Sequence, residues 1–428
     1  MIIARARMAA VMILCVGTGL VERFGAAQGE APVGAQSKAP AALVAADSPK
    51  VSDAAAATKV VLGPSPVQLA QGGITKEWAK DVEQLKRDAE AGQPAAQFAL
   101  AARYAWGLGV PQDEVEVGKW IMRAAEQGFA PAQFEAGISY QCGARGLPRD
   151  LKVGFKWLSK AAKQGYAFAQ EALGDCYADG CGVPEDPGEA VRWFRMAAEQ
   201  GYGAALYRLG HCYAVGLGVA EDHAQAVEWY RKAGEQGYAP AYHDLGWAYE
   251  MGIGVAINNA ESLKWYKRAA EAGEAEAQYK VGVAYSKGMG GFPKDDSVAA
   301  KWLRKASEQG CADAQYVLGL FHQRGTAVPK DPAEAVKWFR LAAEKDNPYA
   351  QYSLGLCYQR GEGVQKDAAE AVKWLKMAAM HGEPNAEYRL ALCYERGEGV
   401  PKDAEEAVEW FSLAAADGVY AEEADQPK

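Results

Sequence analysis

The sequence predicts an all-α solenoid of nine helix-turn-helix repeats, each about 36 residues long. Three observations predict it. Nine of the twelve tryptophans (Trp120, Trp157, Trp193, Trp229, Trp265, Trp302, Trp338, Trp374 and Trp410) stand 36 or 37 residues apart. A second column, Tyr104, Tyr140, Tyr177, Tyr213, Tyr249, Tyr285, His322, Tyr358 and Tyr394, keeps the same spacing. Between the two columns each unit has a glycine-bearing break followed by Asp or Asn. The two longer intervals come from one extra residue in the loops 141–146 and 286–291.

Composition narrows the function. A chain of 428 residues would by length alone hold two to four domains of about 150 residues, but the repeat argues for one elongated domain. Half the residues are hydrophobic and 24% are charged, which excludes wholesale disorder. Eight cysteines are too few for a disulfide scaffold. A net charge of −9 argues against nucleic acid as the main partner.

The elements follow in chain order. Arg5 and Arg7 precede an apolar run from Met8 to Val21, then Gly25-Ala26-Ala27. These are the n-region, h-region and small-residue site of a secretory signal occupying 1–27, cut after Ala27. The run falls short of the ~20 residues a spanning helix needs, which weighs against an uncleaved anchor. Bulky Leu14 before Cys15 weighs against lipidation. Residues 28–73, rich in Ala, Pro and Gly, show no period of 3.6 or 2 and read as a disordered linker. An amphipathic capping helix is expected at about 75–91, within 74–93. Nine repeats then fill 94–418, and 419–428 form a short acidic tail.

The eighth repeat shows the logic of one unit. Ala350, Leu354 and Tyr358 lie at i, i+4, i+8 on one helix face. Gly355 leaves room for a neighbouring helix, and Gly361 and Gly363 break the first helix. Asp367 caps the second helix, as Asp113, Asp150, Asp186, Asp222, Asp295, Asp331 and Asp403 do elsewhere and Asn258 does in the fifth repeat. Ala371, Trp374, Leu375 and Ala378 make the second apolar stripe. One hairpin cannot bury both stripes; stacked neighbours can.

The pattern Ala-Gln-Tyr-x-Leu-Gly-x-x-Tyr-x-x-Gly-x-Gly-Val-x-x-Asp, continued by Ala-x-x-Trp-x-x-x-Ala-Ala-x-x-Gly, resembles the Sel1-like repeat, a relative of the tetratricopeptide repeat. The resemblance covers about three-quarters of the chain. It implies a right-handed α/α superhelix that serves as an adaptor, in bacterial signalling, envelope biology, host interaction or protein quality control. Cysteine-rich members linked to β-lactam chemistry carry a cysteine pair per repeat. This sequence lacks that pairing, so the enzymatic association is not carried over.

The resemblance also implies that two columns of the first helices line a concave face. One reads Phe98, Phe134, Glu171, Tyr207, His243, Tyr279, Tyr316, Tyr352, Tyr388. The other reads Ala102, Ile138, Asp175, His211, Trp247, Val283, Leu320, Leu356, Leu392. One turn on, repeats six to nine offer Lys287, Arg324, Arg360 and Arg396. The expected partner-binding residues are therefore Tyr279, Tyr316, Tyr352, Tyr388, Lys287, Arg324, Arg360 and Arg396, a ladder suited to a peptide or helix with an acidic flank. The bland alternative has the tyrosines packing between helices and the cations solvating.

Glu171 and Asp175 with His211 and His243 raise a metal reading. Equivalent helices ~10 Å apart hold such groups too far from one another for four ligands to converge. A polar patch is the stronger expectation, with no metal and no cofactor. Cys176, Cys212, Cys357 and Cys393 read as small packing residues; Cys142 and Cys181 could pair; Cys311 opens a helix and is expected to be exposed. No nucleophile, metalloprotease or P-loop motif occurs, so an enzyme is not expected. The expected function is an exported protein-interaction scaffold with no membrane span after signal cleavage. Its expected place is the bacterial periplasm, secretion being the second option; an envelope enzyme or cell-wall ligand binder is the alternative.

Overall fold

The computed structural model describes residues 80–416 and 418. The expected signal, linker and acidic tail lie outside the described residues. Within them are nineteen helices and no strand. They group into two compact units, residues 80–258 and 259–418; each unit has core clusters of its own.

The first unit holds ten helices: α1 (Val82–Glu90), α2 (Pro94–Trp106), α3 (Glu114–Glu126), α4 (Ala130–Cys142), α5 (Leu151–Lys163), α6 (Ala167–Asp179), α7 (Pro187–Ala198), α8 (Gly203–Val215), α9 (His223–Glu235) and α10 (Pro240–Met251). The capping helix begins later than expected, because the Asp81 carboxylate takes the backbone N–H of Gln84 at 2.7 Å and fixes the N-terminus there. The second unit holds nine helices: α11 (Asn259–Glu271), α12 (Ala275–Lys287), α13 (Asp296–Glu308), α14 (Ala312–Arg324), α15 (Pro332–Ala343), α16 (Pro348–Arg360), α17 (Ala368–Met380), α18 (Pro384–Arg396) and α19 (Ala404–Ala416).

Capping follows the sequence pattern. The eight expected aspartates cap second helices, each carboxylate accepting backbone N–H groups at 2.9–3.1 Å. The first helices end on a left-handed glycine such as Gly361, φ 74°. Gly363, φ 71°, is needed for a second reason. A Cβ there would lie 2.0 Å from the Pro332 carbonyl oxygen, so the loop rests directly on the start of the preceding second helix.

Packing within a hairpin depends on the first-helix glycine. A Cβ on Gly355 would meet Leu375 Cγ at 2.9 Å, and one on Gly319 would meet the Phe339 ring at 2.6 Å. Close approach lets Phe339, Leu354 and Leu375 become fully buried, each contributing roughly 1.5–3 kcal/mol. Trp374 of α17 reaches back onto the cluster containing Phe339 and Leu354, so the tryptophan column ties one repeat to the one before. In five repeats a cation three residues later lies over the tryptophan ring, 3.9–4.6 Å from its centroid.

A glutamine clasp adds a polar tie. Gln351 donates to the Ala343 carbonyl at 3.1 Å, and its Oε1 lies 3.0 Å from His381 Nδ1, which donates to it. Gln133 likewise bonds Ala125 and accepts from Gln164 at 2.7 Å; Gln97, Gln170 and Gln278 repeat the arrangement. Each buried amide thereby satisfies its own polar atoms while joining three helix ends.

The cysteines divide as their surroundings dictate. Cys176, Cys212, Cys357 and Cys393 are buried packing residues, and burial pushes the Cys357 thiol up to about 12 and the Cys393 thiol up to about 11. Cys142 is exposed while Cys181 is buried in the first unit's core, and no disulfide joins them among the described residues. Cys311 is half-buried, because it precedes α14 against the Leu303–Leu318 core.

Candidate functional site

In the second unit, Tyr279, Tyr316, Tyr352 and Tyr388 occupy the same position on α12, α14, α16 and α18. All four are half-buried, as are Val283, Leu320, Leu356 and Leu392 one turn on. Lys287, Arg324, Arg360 and Arg396, at the C-terminal ends of the same helices, are exposed. The eight expected residues therefore form one register: an aromatic row, an aliphatic row and a cationic edge on consecutive first helices.

Each tyrosine has a packing role as well. Tyr279 rests on the cluster of Leu303 and Leu318, Tyr316 on that of Phe339 and Leu354, and Tyr352 on that of Leu375 and Leu390. Tyr316 lies 5.9 Å from a stacked Tyr349 and 6.0 Å from Phe339, centroid to centroid, and Tyr388 meets Phe411 edge-on at 5.3 Å. Burial raises the phenol pKa of Tyr279, Tyr316 and Tyr352, so all three stay neutral donors at physiological pH. Packing roots the rings and leaves each of them half-buried. Such rigid rings lose little conformational entropy on making a contact.

The cations differ in setting. Arg360 has only a long contact with Glu362, 3.9 Å with both side chains 47% exposed, which adds little. On the second helices α15 and α17 an acid pairs with the cation three residues on, Glu334 with Lys337 and Glu370 with Lys373.

The first unit departs from the expected columns. Phe98 and Tyr207 are almost wholly buried at 0% and 2% exposure, since Tyr207 packs against Tyr230 and Tyr238 and donates to Asp244 at 2.8 Å. Glu171 and Asp175 do sit together, but the residue that joins them is Arg208, which the sequence reading missed. Its guanidinium Nε lies 3.1 Å from Asp175 Oδ1 and 3.5 Å from Glu171 Oε1, in a buried triad. Asp175 also accepts from an Arg208 terminal nitrogen at 3.2 Å, so both carboxylates are paired with this guanidinium. His211 is pushed below its ordinary pKa by burial and by the Arg208 charge, so it is neutral. A second buried pair, Glu135 with Arg145, was also missed. Arg145 lies in the expanded loop at φ 58° and turns its side chain back to Glu135 and to Ser139 Oγ at 3.2 Å.

Nine consecutive segments (94–129, 130–166, 167–202, 203–238, 239–274, 275–311, 312–347, 348–383 and 384–419) match the Sel1 repeat family model. The chain belongs to the Sel1-repeat family. Among solved structures it is similar to c5321, a protective antigen of uropathogenic Escherichia coli with an SLR fold. Identity is 35% and the TM-score 0.65, over 79% of this chain and 80% of that one. A Sel1 repeat protein from Oxalobacter formigenes is 32% identical, with a TM-score of 0.48, over 62% of this chain and 98% of the other. No curated protein matches the chain at a significant level. Sel1-repeat proteins generally act as protein-interaction scaffolds, and the fold is typically non-enzymatic. No described helix is long and apolar enough to cross a membrane.

Proposed function

We propose that this Sel1-repeat chain is an exported interaction scaffold of the bacterial periplasm. Its concave face binds an extended peptide or a helix with an acidic flank through Tyr279, Tyr316, Tyr352 and Tyr388, edged by Lys287, Arg324, Arg360 and Arg396. The observation that carries the reading is the shared register of half-buried tyrosines and exposed cations on four consecutive first helices. Aromatic anchors supply contact area, and arginines supply directed donors to carboxylates. The cationic edge steers an acidic partner and makes association salt-sensitive. Export rests on the Arg5/Arg7, Met8–Val21 and Ala27 pattern.

The alternative, an envelope enzyme or a cell-wall ligand binder, drew on the acids and histidines of repeats three to five. Arg208 pairs with both carboxylates there, which favours the scaffold reading over this one. The test is a pull-down from envelope extract with the full mature chain beside the triple variant Arg324→Glu, Arg360→Glu, Arg396→Glu. A protein held by the wild type and lost by the variant, with melting curves unchanged, supports the reading; identical retention by both baits rejects it.

A further inference from the structure

The last second helix, α19, presents a face that its counterparts bury. Val408 is 64% exposed, whereas Val336 and Val372 at the same position of α15 and α17 are each 5% exposed. Phe411 and Ala415 are half-buried where Leu375 and Ala379 of α17 are buried. In the earlier repeats the covering element is the first helix of the next repeat, α16 over α15 and α18 over α17. Ala404, Val408, Phe411 and Ala415 recur at helical spacing along one stripe of α19, which continues the stacking interface the repeats already use.

Charge sets this helix apart as well. On α15 and α17 an acid is followed three residues later by its own cation, Glu334 to Lys337 at 2.8 Å and Glu370 to Lys373 at 3.1 Å. On α19 the cation's place is taken by Glu409, and Glu406 instead accepts from Trp410 Nε1 at 3.1 Å. The helix carries Glu405, Glu406 and Glu409 and no basic residue. An apolar stripe with an acidic, unneutralised rim specifies the chemistry of what fits it.

We propose that the open face of α19 docks a cationic amphipathic helix of a partner protein. Its small apolar side packs on Val408 and Ala415 while lysines or arginines meet Glu405 and Glu409. A second copy of this chain is the poorer occupant, because two such faces would bring glutamates against glutamates. The surface adjoins the tyrosine row where Phe411 meets Tyr388, but it is opposite in charge and is altered by different substitutions, so its failure and the failure of the proposed function are distinguishable.

The probe is a fluorescein-labelled synthetic helix of thirteen residues, the length of α19, with alanine and leucine on one side and lysine on the other. Binding to the full chain is followed by fluorescence anisotropy at low salt. The expected result is saturable binding, weakened about ten-fold or more by Val408→Asp and by the pair Glu405→Lys, Glu409→Lys, and retained by the Arg324, Arg360, Arg396 variant. Val408 is exposed already, so its replacement leaves the fold intact, checked by an unchanged melting curve. Equal binding by wild type and Val408→Asp would mean general attraction to an acidic protein and would overturn the proposal. So would a dimer, seen by light scattering, that Val408→Asp dissolves, or tighter probe binding once residues 419–428 are removed. These assign the face to a second copy and to the chain's own end.

Discussion

Arg208 shows how a single residue reorganises a surface that its neighbours only suggest. Glu171 and Asp175 at i, i+4 were legible as two acids in columns otherwise filled by aromatic and aliphatic residues and two histidines. Their base was not, because it comes from the next repeat, 33 and 37 positions on, beside a tyrosine that belongs to the pattern. The signal that could have found it is an arginine next to the tyrosine column one repeat after two unexplained acids. A buried pair is poor evidence for stability, but removing one partner strands the other. Arg208→Leu should therefore cost about 3–5 kcal/mol in urea unfolding, and adding Glu171→Gln with Asp175→Asn should restore much of it. Full stability of the single variant would show that the triad bears no structural burden. The cysteines teach the same lesson in reverse. The four in the repeat position were predictable as packing residues, whereas the half-burial of Cys311 depends on a core that sequence alone does not locate.

At the scale of the element, helix limits, caps and loop glycines were readable because each rests on chemistry local to a few residues. Aspartate before an apolar stripe and glycine after a tyrosine specify start and stop without reference to the rest of the molecule. Less readable was the glutamine clasp, whose partners lie eight and about thirty residues away and gain meaning only once helices stack. The first-helix glycine stands between these cases, since the sequence implies close approach and the structure supplies the distance. Gly319→Val should destabilise the chain by about 1–3 kcal/mol, because its branched side chain must displace the Phe339 ring and a well-packed core resists added volume. Thermal denaturation measures this directly, and an unchanged midpoint would show that the hairpin has slack the geometry denies. Ala391 stands at the corresponding position of α18 and is itself fully buried, so Gly319→Ala should cost less than the valine change.

At the scale of the whole molecule, repeat number and fold class followed from spacing, because a period is a global property written locally nine times over. Ligand surfaces are not periodic, and the candidate face emerges from departures and continuities between repeats. In the second unit the tyrosine column stays half-buried; in the first, Phe98 and Tyr207 sink into the core and Arg208 closes the polar patch. The central claim is that a partner lies along the tyrosine row edged by Arg324, Arg360 and Arg396. The most direct measurement places a photo-crosslinking amino acid at Tyr316 or Tyr352, and in parallel at exposed Lys337 or Lys373 on the second helices, and identifies the adducts formed in living cells. The account predicts one shared protein adduct from the tyrosine positions and none from the lysine positions. Adducts arising only from the second helices, or equally from both, would contradict it.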